Sequence, residues 1–197
     1  IFTRREPLGV MVIIIPFNYP VDLYSQKVMP ALVAGNSVII KPPSYNPLAI
    51  IRMTQILYEA GVPKCAVQVV TGKGRVVGNY LCGHHGINAI SMTGSTEVGI
   101  SIYKKAADNL TRVFLELGGN DSFIVLEDAD LELAVNEAVG SRMGNAGQIC
   151  CASKRFLIHE TLKDEFVKKL KEKINGMKIG DPMDPQTQVG CLISEDA

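Results

Sequence analysis

Short runs of β-branched and other apolar residues recur along the first part of the chain, and they constrain the fold more than any other feature. They lie at 9–15, 37–41, 66–71, 87–93 and 112–117. Each run has the length of a strand that is buried on both faces. Helical patterns lie between them, such as 47–60, which has Pro47 in its first turn. Because parallel strands need a crossover connection, this alternation predicts a doubly wound, mostly parallel α/β sheet.

The residues after 119 predict a second α/β unit. Its expected elements are a strand at 122–126, a helix opened by Asp128 or Asp130, a strand at 155–159 and a charged helix at 161–175. The sequence therefore predicts two parts, a domain over 1–119 and the start of another over 120–197.

Composition excludes several classes of function. The 197 residues carry 20 Lys and Arg against 20 Asp and Glu, so no electrostatic case exists for binding nucleic acid or a membrane surface. The longest apolar run, at 9–15, is far shorter than the ~20 residues of a membrane-spanning helix, which indicates a soluble protein. Five cysteines without a C-x-x-C pair argue against a metal site and a disulfide framework, and they indicate a cytoplasmic setting.

One glycine-bearing turn follows the third predicted strand. The stretch GKGRVVG at 72–78 resembles the dinucleotide fingerprint G-x-G-x-x-G, but Val77 stands where the last glycine is needed and Gly78 comes one residue late. A phosphate-binding loop and a plain strand-to-helix turn both fit this stretch.

A second turn, MTGSTEVG at 92–99, follows the fourth predicted strand. Gly94 permits the turn, and Ser95 or Thr96 can cap a helix whose N-terminus would attract a pyrophosphate. A capped helix without a ligand has the same sequence. The position after a strand nevertheless favours a ligand, because ligands of α/β sheets gather outside the carboxyl ends of the strands.

Four side chains are candidates for chemistry. Cys150 lies in the small-sided polar stretch NAGQICCASKR beside Cys151, and a structural disulfide between such neighbours is disfavoured. Glu116 ends an apolar strand, where loss of solvation would make it a stronger base, although a paired core carboxylate is the alternative. Asn18 follows the first strand as a turn former or an oxyanion donor. Lys41 ends the second strand and either contacts a ribose or extends to solvent.

Together the stretches PFNYP, GNSVIIKPPS, MTGSTEVG, LELGGN and NAGQICCASKR resemble the aldehyde dehydrogenase superfamily over essentially the whole chain. The resemblance implies a Rossmann-like cofactor domain followed by the start of a catalytic domain. It makes Cys150, in G-Q-x-C, the nucleophile, Glu116 the general base and Asn18 the oxyanion donor, with no metal. It implies NAD or NADP as the cofactor, contacted by Ile15, Pro16, Phe17, Lys41, Ser44, Gly74, Gly78, Thr93, Gly94, Ser95, Val98, Leu117 and Gly118.

The implied reaction oxidises an aldehyde to a carboxylic acid. The Cys150 thiolate attacks the carbonyl carbon, and the Cys150 backbone N–H and the Asn18 amide stabilise the alkoxide. Hydride passes to the nicotinamide, a thioester remains on Cys150, and Glu116 activates the water that hydrolyses it.

Ser44 and two of the stretches indicate which cofactor and which substrate to expect. Ser44 stands where NAD-preferring relatives commonly carry an acid, which predicts that NADP is tolerated or preferred. The stretches KPPS and LELGGN favour succinate semialdehyde as the substrate.

Two alternative functions remain. One is a coenzyme A-acylating dehydrogenase, which typically lacks the glutamate at 116, and the other is a structural, non-enzymatic member of the fold. The chain lacks an E-x-F-G-P segment and resembles an internal fragment of a homodimer or homotetramer.

Overall fold

The computed structural model describes residues 1–197, which divide into two units, Ile1–Leu117 and Gly118–Ala197. The strands of the first unit are Val10–Ile14 (β1), Ser37–Lys41 (β2), Val67–Val69 (β3), Ala89–Thr93 (β4) and Arg112–Glu116 (β5). Its α-helices are Pro20–Val33 (α1), Leu48–Glu59 (α2), Asn79–Cys82 (α3) and Thr96–Ala107 (α4). A π-helical turn, Gly74–Gly78, leads into α3.

The five strands of the first unit form one parallel sheet in the order β3-β2-β1-β4-β5. The chain winds outward from β1 through β2 to β3, and then returns to the other side of β1 for β4 and β5. The predicted doubly wound parallel sheet is therefore confirmed. The order reverses between β1 and β4, which is where open α/β sheets place their ligands, outside the carboxyl ends of the strands.

Helices cover both faces of this sheet. Met11 and Ile13 of β1 belong to the apolar cluster under α1 and α2, whereas Val12 belongs to the cluster that includes residues of α3 and α4. All three residues are buried. A strand buried on both faces needs apolar residues at consecutive positions, which explains why β1 has an unbroken apolar sequence. β4 is buried along its whole length as well, with Ser91 and Thr93 as its polar residues.

The two edge strands, β3 and β5, depart from the prediction that each run is buried on both faces. In β3, Gln68 is exposed. In β5 exposed residues alternate with half-buried ones, and Glu116 is exposed at its end. The prediction that this run is buried on both faces is wrong, because β5 is an edge strand of the sheet. The loss of solvation expected for Glu116 is absent for the same reason.

The second unit is built on a parallel strand pair, Asp121–Val125 (β6) and Ser153–Ile158 (β7), with helices Leu131–Met143 (α5) and Lys163–Asn175 (α6). Asp130 caps α5 by accepting a hydrogen bond from the Leu133 N–H at 3.0 Å. Val125, Val135, Ala138 and Phe166 form its buried core. No helix in residues 1–197 has the length and apolar character needed to cross a membrane.

Candidate active site

The carboxyl ends of the strands bring several of the predicted site residues of the first unit to one edge of the sheet. Lys41 lies opposite Ile14 in the pairing of β1 with β2, and Glu116 lies opposite Thr93 in the pairing of β4 with β5. Asn18 lies in the loop that leaves β1. Because all five strands are parallel, these polar side chains belong to the edge where a ligand is expected.

A groove of about 400 Å³ in the first unit is large enough for part of a dinucleotide. Its lining residues are Ile14, Lys41, Gly74, Arg75, Gly78, Asn79, Glu97, Val98, Ser101 and Ile102. Four of these, Lys41, Gly74, Gly78 and Val98, are among the predicted cofactor contacts. Sequence reasoning did not single out Arg75 or Glu97, because a charged residue in a turn or a first helical turn is an ordinary surface feature.

The π-helical turn requires a glycine just before it. Gly72 has φ +142°, and a Cβ there would lie 2.7 Å from Cγ2 of Val77. The turn Gly74–Gly78 then presents its glycines to the groove. π-Helical turns are rare and are frequent at functional sites, so this geometry favours the ligand-binding interpretation of GKGRVVG over a plain turn.

Lys41 is buried at the end of β2. Its Nζ donates to Oγ of Ser44 at 3.3 Å, and Ser44 Oγ donates to the Gly72 carbonyl at 3.3 Å, which links β2 to the loop after β3. Burial lowers the pKa of Lys41, because the charged ammonium loses water there. A hydroxyl or anionic group of a ligand in the groove would therefore stabilise the charged form of Lys41.

The start of α4 provides a second feature that fits a cofactor. Thr93 Oγ1 is buried at the end of β4 and has no hydrogen-bond partner within the protein. Ser95, rather than Thr96, caps α4 by accepting from the Val98 N–H at 3.3 Å. Since an unpaired buried hydroxyl costs about 1–3 kcal/mol, a ligand that bonds to Thr93 would recover free energy. The groove, the capped helix and this hydroxyl together fit a dinucleotide.

The loop after β1 is fixed by contacts at both of its sides. The Ile15 N–H donates to the Lys41 carbonyl at 3.2 Å, and the Asn46 side chain donates to the Phe17 carbonyl at 2.9 Å. Ile15 is buried, and Pro16, Phe17 and Asn18 are half-buried. Asn18 is thus carried by a braced loop, as an oxyanion donor requires.

Glu116 has a cationic neighbour that the sequence did not reveal. Lys27 of α1 is half-buried and donates to Oγ of Ser91 at 3.1 Å. Burial lowers the pKa of Lys27, and the negative charge of Glu116 offsets part of that effect. A lysine on an amphipathic helix gives no signal of such a partner in sequence.

Gly94, Leu117 and Gly118 are further predicted cofactor contacts. The Gly94 N–H donates to the Glu116 carbonyl at 3.0 Å, which joins the start of the α4 turn to the end of β5. Leu117 packs so closely on α4 that a Cβ on Gly99 would lie 2.7 Å from Leu117 Cδ2. Gly118 is the first residue of the second unit.

In the second unit, Cys150 follows a backbone segment in an uncommon conformation. Asn145, Ala146 and Gly147 have φ values of 48°, 55° and 79°, all in the left-handed region. Gln148 braces this turn, since its Nε2 donates to the Asn145 carbonyl and its Oε1 accepts from the Ile193 N–H, each at 3.0 Å. Cys150 is exposed just beyond. Strained backbone clusters at functional sites, which supports a chemical role for this turn.

We expect Ala146→Gly to stabilise the protein. A left-handed conformation costs an alanine about 1–2 kcal/mol, whereas glycine adopts it freely but loses roughly 0.5–1 kcal/mol through the entropy of the unfolded chain. The net gain in the free energy of unfolding is therefore about 0.5–1 kcal/mol, measured by urea denaturation. A loss of stability in Ala146→Gly would show that the turn carries no such strain. Ala138→Gly, in the middle of α5, is the matched control and should destabilise.

These features define a dinucleotide-binding α/β unit followed in the chain by a unit with an exposed cysteine on a strained turn. The chain belongs to the aldehyde dehydrogenase family, whose sequence profile matches residues 1–197. It is similar to the 3,6-anhydro-alpha-L-galactose dehydrogenase of Vibrio sp. (strain EJY3), with 43% identity over 195 residues. The match covers 99% of this chain and 41% of that relative, so the chain spans about two fifths of the relative's length.

Two solved structures resemble the chain closely. A 3,6-anhydro-L-galactose dehydrogenase in complex with NADP has a TM-score of 0.93 and 44% identity, covering 97% of this chain and 40% of that one. The betaine aldehyde dehydrogenase of Staphylococcus aureus in complex with NAD+ has a TM-score of 0.94 and 39% identity, covering 97% and 38%. Solved relatives therefore bind NADP or NAD, the two cofactors expected from the sequence.

Proposed function

We propose that the chain is the cofactor-binding and nucleophile-bearing part of an NAD(P)-dependent aldehyde dehydrogenase that produces a carboxylic acid. The observation that carries the proposal is the groove at the carboxyl edge of the sheet, because it gathers Lys41, Gly74, Gly78 and Val98. The resemblance of the sequence motifs implies that these same four residues contact the cofactor. The family match over residues 1–197 supports the same reaction.

In the proposed reaction each residue of the chain has a separate task. Cys150, as the thiolate, forms a bond to the aldehyde carbon, and Asn18 donates a hydrogen bond to the resulting oxyanion. The bound nicotinamide supplies the hydride acceptor. The thioester carbonyl left on Cys150 is then attacked by water, and Glu116 accepts the proton of that water. The Cys150 thiolate leaves, and the carboxylic acid is released.

Water rather than coenzyme A is the proposed acceptor of the acyl group. Glu116 supports this choice, because a carboxylate base is needed to activate water and has no comparable task when a thiol attacks. Its exposure at the end of β5 leaves the carboxylate able to meet water. The test is the steady-state rate of the full-length protein with and without coenzyme A. A rate that requires coenzyme A would show that the acyl group passes to coenzyme A and not to water. An absence of any activity would favour a structural role.

The proposed substrate is a small polar aldehyde. The sequence favours succinate semialdehyde, through KPPS and LELGGN. The relatives reported above are named for an anhydrosugar aldehyde and for betaine aldehyde, which points to a polar aldehyde without specifying its charge. A panel of these three aldehydes with lactaldehyde, compared by kcat/KM, would rank an anionic, a cationic and two neutral substrates.

The proposed cofactor preference is for NADP, or for both cofactors equally. Ser44 carries no charge to repel a 2′-phosphate, and its hydroxyl is 3.3 Å from the ammonium of Lys41. Arg75 adds a second cation to the same groove. Glu97 lines the groove too, and its carboxylate opposes the effect of these cations. The groove thus carries two cationic side chains and one carboxylate, and position 44 has no acid. This balance of charge favours a ribose that carries a 2′-phosphate.

We expect Ser44→Glu to weaken the use of NADP by about tenfold or more, because the new carboxylate repels the 2′-phosphate and pairs with Lys41. The use of NAD should change little, since an acid can accept a hydrogen bond from the 2′-hydroxyl. The measurement is kcat/KM for each cofactor. Ser44→Ala is the matched control and should cost NADP less, because it removes a donor without adding charge. Equal losses for both cofactors in Ser44→Glu would mean that other residues read the 2′ position.

A further inference from the structure

The backbone around Cys150 is held by a lysine that has no part in the reaction proposed above. Lys154 Nζ donates to the carbonyl oxygen of Cys150 at 2.8 Å and to the carbonyl oxygen of Ala152 at 3.1 Å. Both distances are typical of good hydrogen bonds, and the ammonium charge strengthens them. One side chain thus fixes two peptide planes on either side of Cys151.

The Cys150 carbonyl is confined from a second direction. A Cβ on Gly119 would lie 3.0 Å from that oxygen, so the backbone at Gly119 packs directly against it. The chain just beyond is anchored as well: the Ser153 N–H donates to Oγ of Ser141 at 3.2 Å, and Ser153 is buried. Arg155 Nε donates to the Asn120 carbonyl at 3.1 Å, which ties the start of β7 to the residues after Gly119.

The segment before Cys150 makes this support necessary. Asn145 and Ala146 hold left-handed backbone conformations, which store strain in residues other than glycine and can relax if the segment that follows is loose. Cys150 and Cys151 are exposed, so packing of their side chains does not fix the turn. The contacts of Lys154 therefore supply order at the residue where a nucleophile needs it.

We propose that Lys154 is a positioning residue that sets the direction of the Cys150 thiol by holding its carbonyl. This inference rests on the proposed function, in which Cys150 is the nucleophile. A fixed carbonyl fixes the Cys150 peptide plane, and the plane limits where Cα and Cβ direct Sγ. Lys154 itself is exposed, so its replacement should change the free energy of unfolding little. We expect the replacement to lower the rate at which Cys150 attacks the aldehyde, because that rate depends steeply on geometry.

The test compares Lys154→Met, Lys154→Arg and Lys168→Met in the full-length protein. Lys168 is an exposed lysine of α6 and serves as the matched control. In Lys154→Met we expect kcat and the pre-steady-state burst of reduced cofactor to fall by roughly ten- to a hundredfold, since small misplacements of a reacting group have effects of that size. KM for the cofactor and Tm should stay near the wild-type values. Lys154→Arg should restore most of the rate, because the guanidinium can donate to the same two carbonyls.

A second measurement separates the position of the thiol from its intrinsic reactivity. Iodoacetamide is a small electrophile that approaches from many directions. Cys150 of the Lys154→Met protein should therefore be alkylated no more slowly than Cys150 of the wild type, as followed by peptide mass spectrometry. The proposal would be overturned by an unchanged burst, by a fall in Tm that accounts for the lost rate, or by alkylation slowed as much as the burst. Activity in Cys150→Ala would instead overturn the proposed function, and this inference with it.

Discussion

Cys150→Ala is expected to lower the aldehyde-oxidising rate of the full-length protein by at least about a thousandfold, because no other group can form the thioester. Cys151→Ala should keep most of the activity, although the two cysteines are adjacent and both exposed. The difference is that Cys150 lies in G-Q-x-C and its carbonyl is held by Lys154. The measurement is kcat/KM for one aldehyde at saturating cofactor.

Binding controls are needed for this pair of variants. Both should bind NADP and NAD as the wild type does, since the groove belongs to the first unit and contains neither cysteine. Titration of cofactor by fluorescence or calorimetry checks this. An active Cys150→Ala protein together with an inactive Cys151→Ala protein would show that Cys151 is the nucleophile.

Glu116→Gln is expected to separate the two halves of the reaction. The amide cannot accept a proton from water, so the first turnover should proceed near the wild-type rate while hydrolysis of the thioester slows by about a hundredfold or more. Rapid-mixing experiments should show a burst of reduced cofactor, close to one equivalent per active site, followed by a slow steady state. If the burst and the steady-state rate of Glu116→Gln both match those of the wild type, Glu116 is only a surface carboxylate of an edge strand.

A matched variant on the same strand checks this interpretation. Arg112, the first residue of β5, is exposed and lies at the opposite end from Glu116. Arg112→Gln should leave both the burst and the steady state unchanged. A slow steady state in both variants would mean that the edge strand as a whole, and not the carboxylate, limits the rate.

The parallel sheet could be predicted because burial on both faces favours runs of consecutive apolar residues, and β1 is such a run. The same reasoning failed for β5, because an edge strand can be equally rich in apolar residues while one side stays exposed. No helix was predicted over residues 20–33, where α1 lies. Pro20 occupies the first turn, where its missing N–H costs nothing, and Pro30 lies near the helix end.

Site residues could be proposed from sequence where several motifs occur in a fixed order, as for Cys150 and Asn18. The supporting residues could not. Lys27 gains its significance from a charge on β5, and Lys154 from a carbonyl four residues before it in a bent segment. Both are ordinary lysines in sequence, because such contacts depend on how the chain folds around them rather than on spacing alone.

In the proposed reaction Cys150 carries the acyl group between oxidation and hydrolysis. Peptide mass spectrometry of Glu116→Gln, quenched with acid after mixing with aldehyde and cofactor, tests this role, because slow hydrolysis should let the thioester accumulate. We predict a mass increase equal to the acyl group on the peptide that contains Cys150, absent when the cofactor is left out. An adduct on Cys151, or a burst of reduced cofactor with no adduct on either cysteine, would contradict the account.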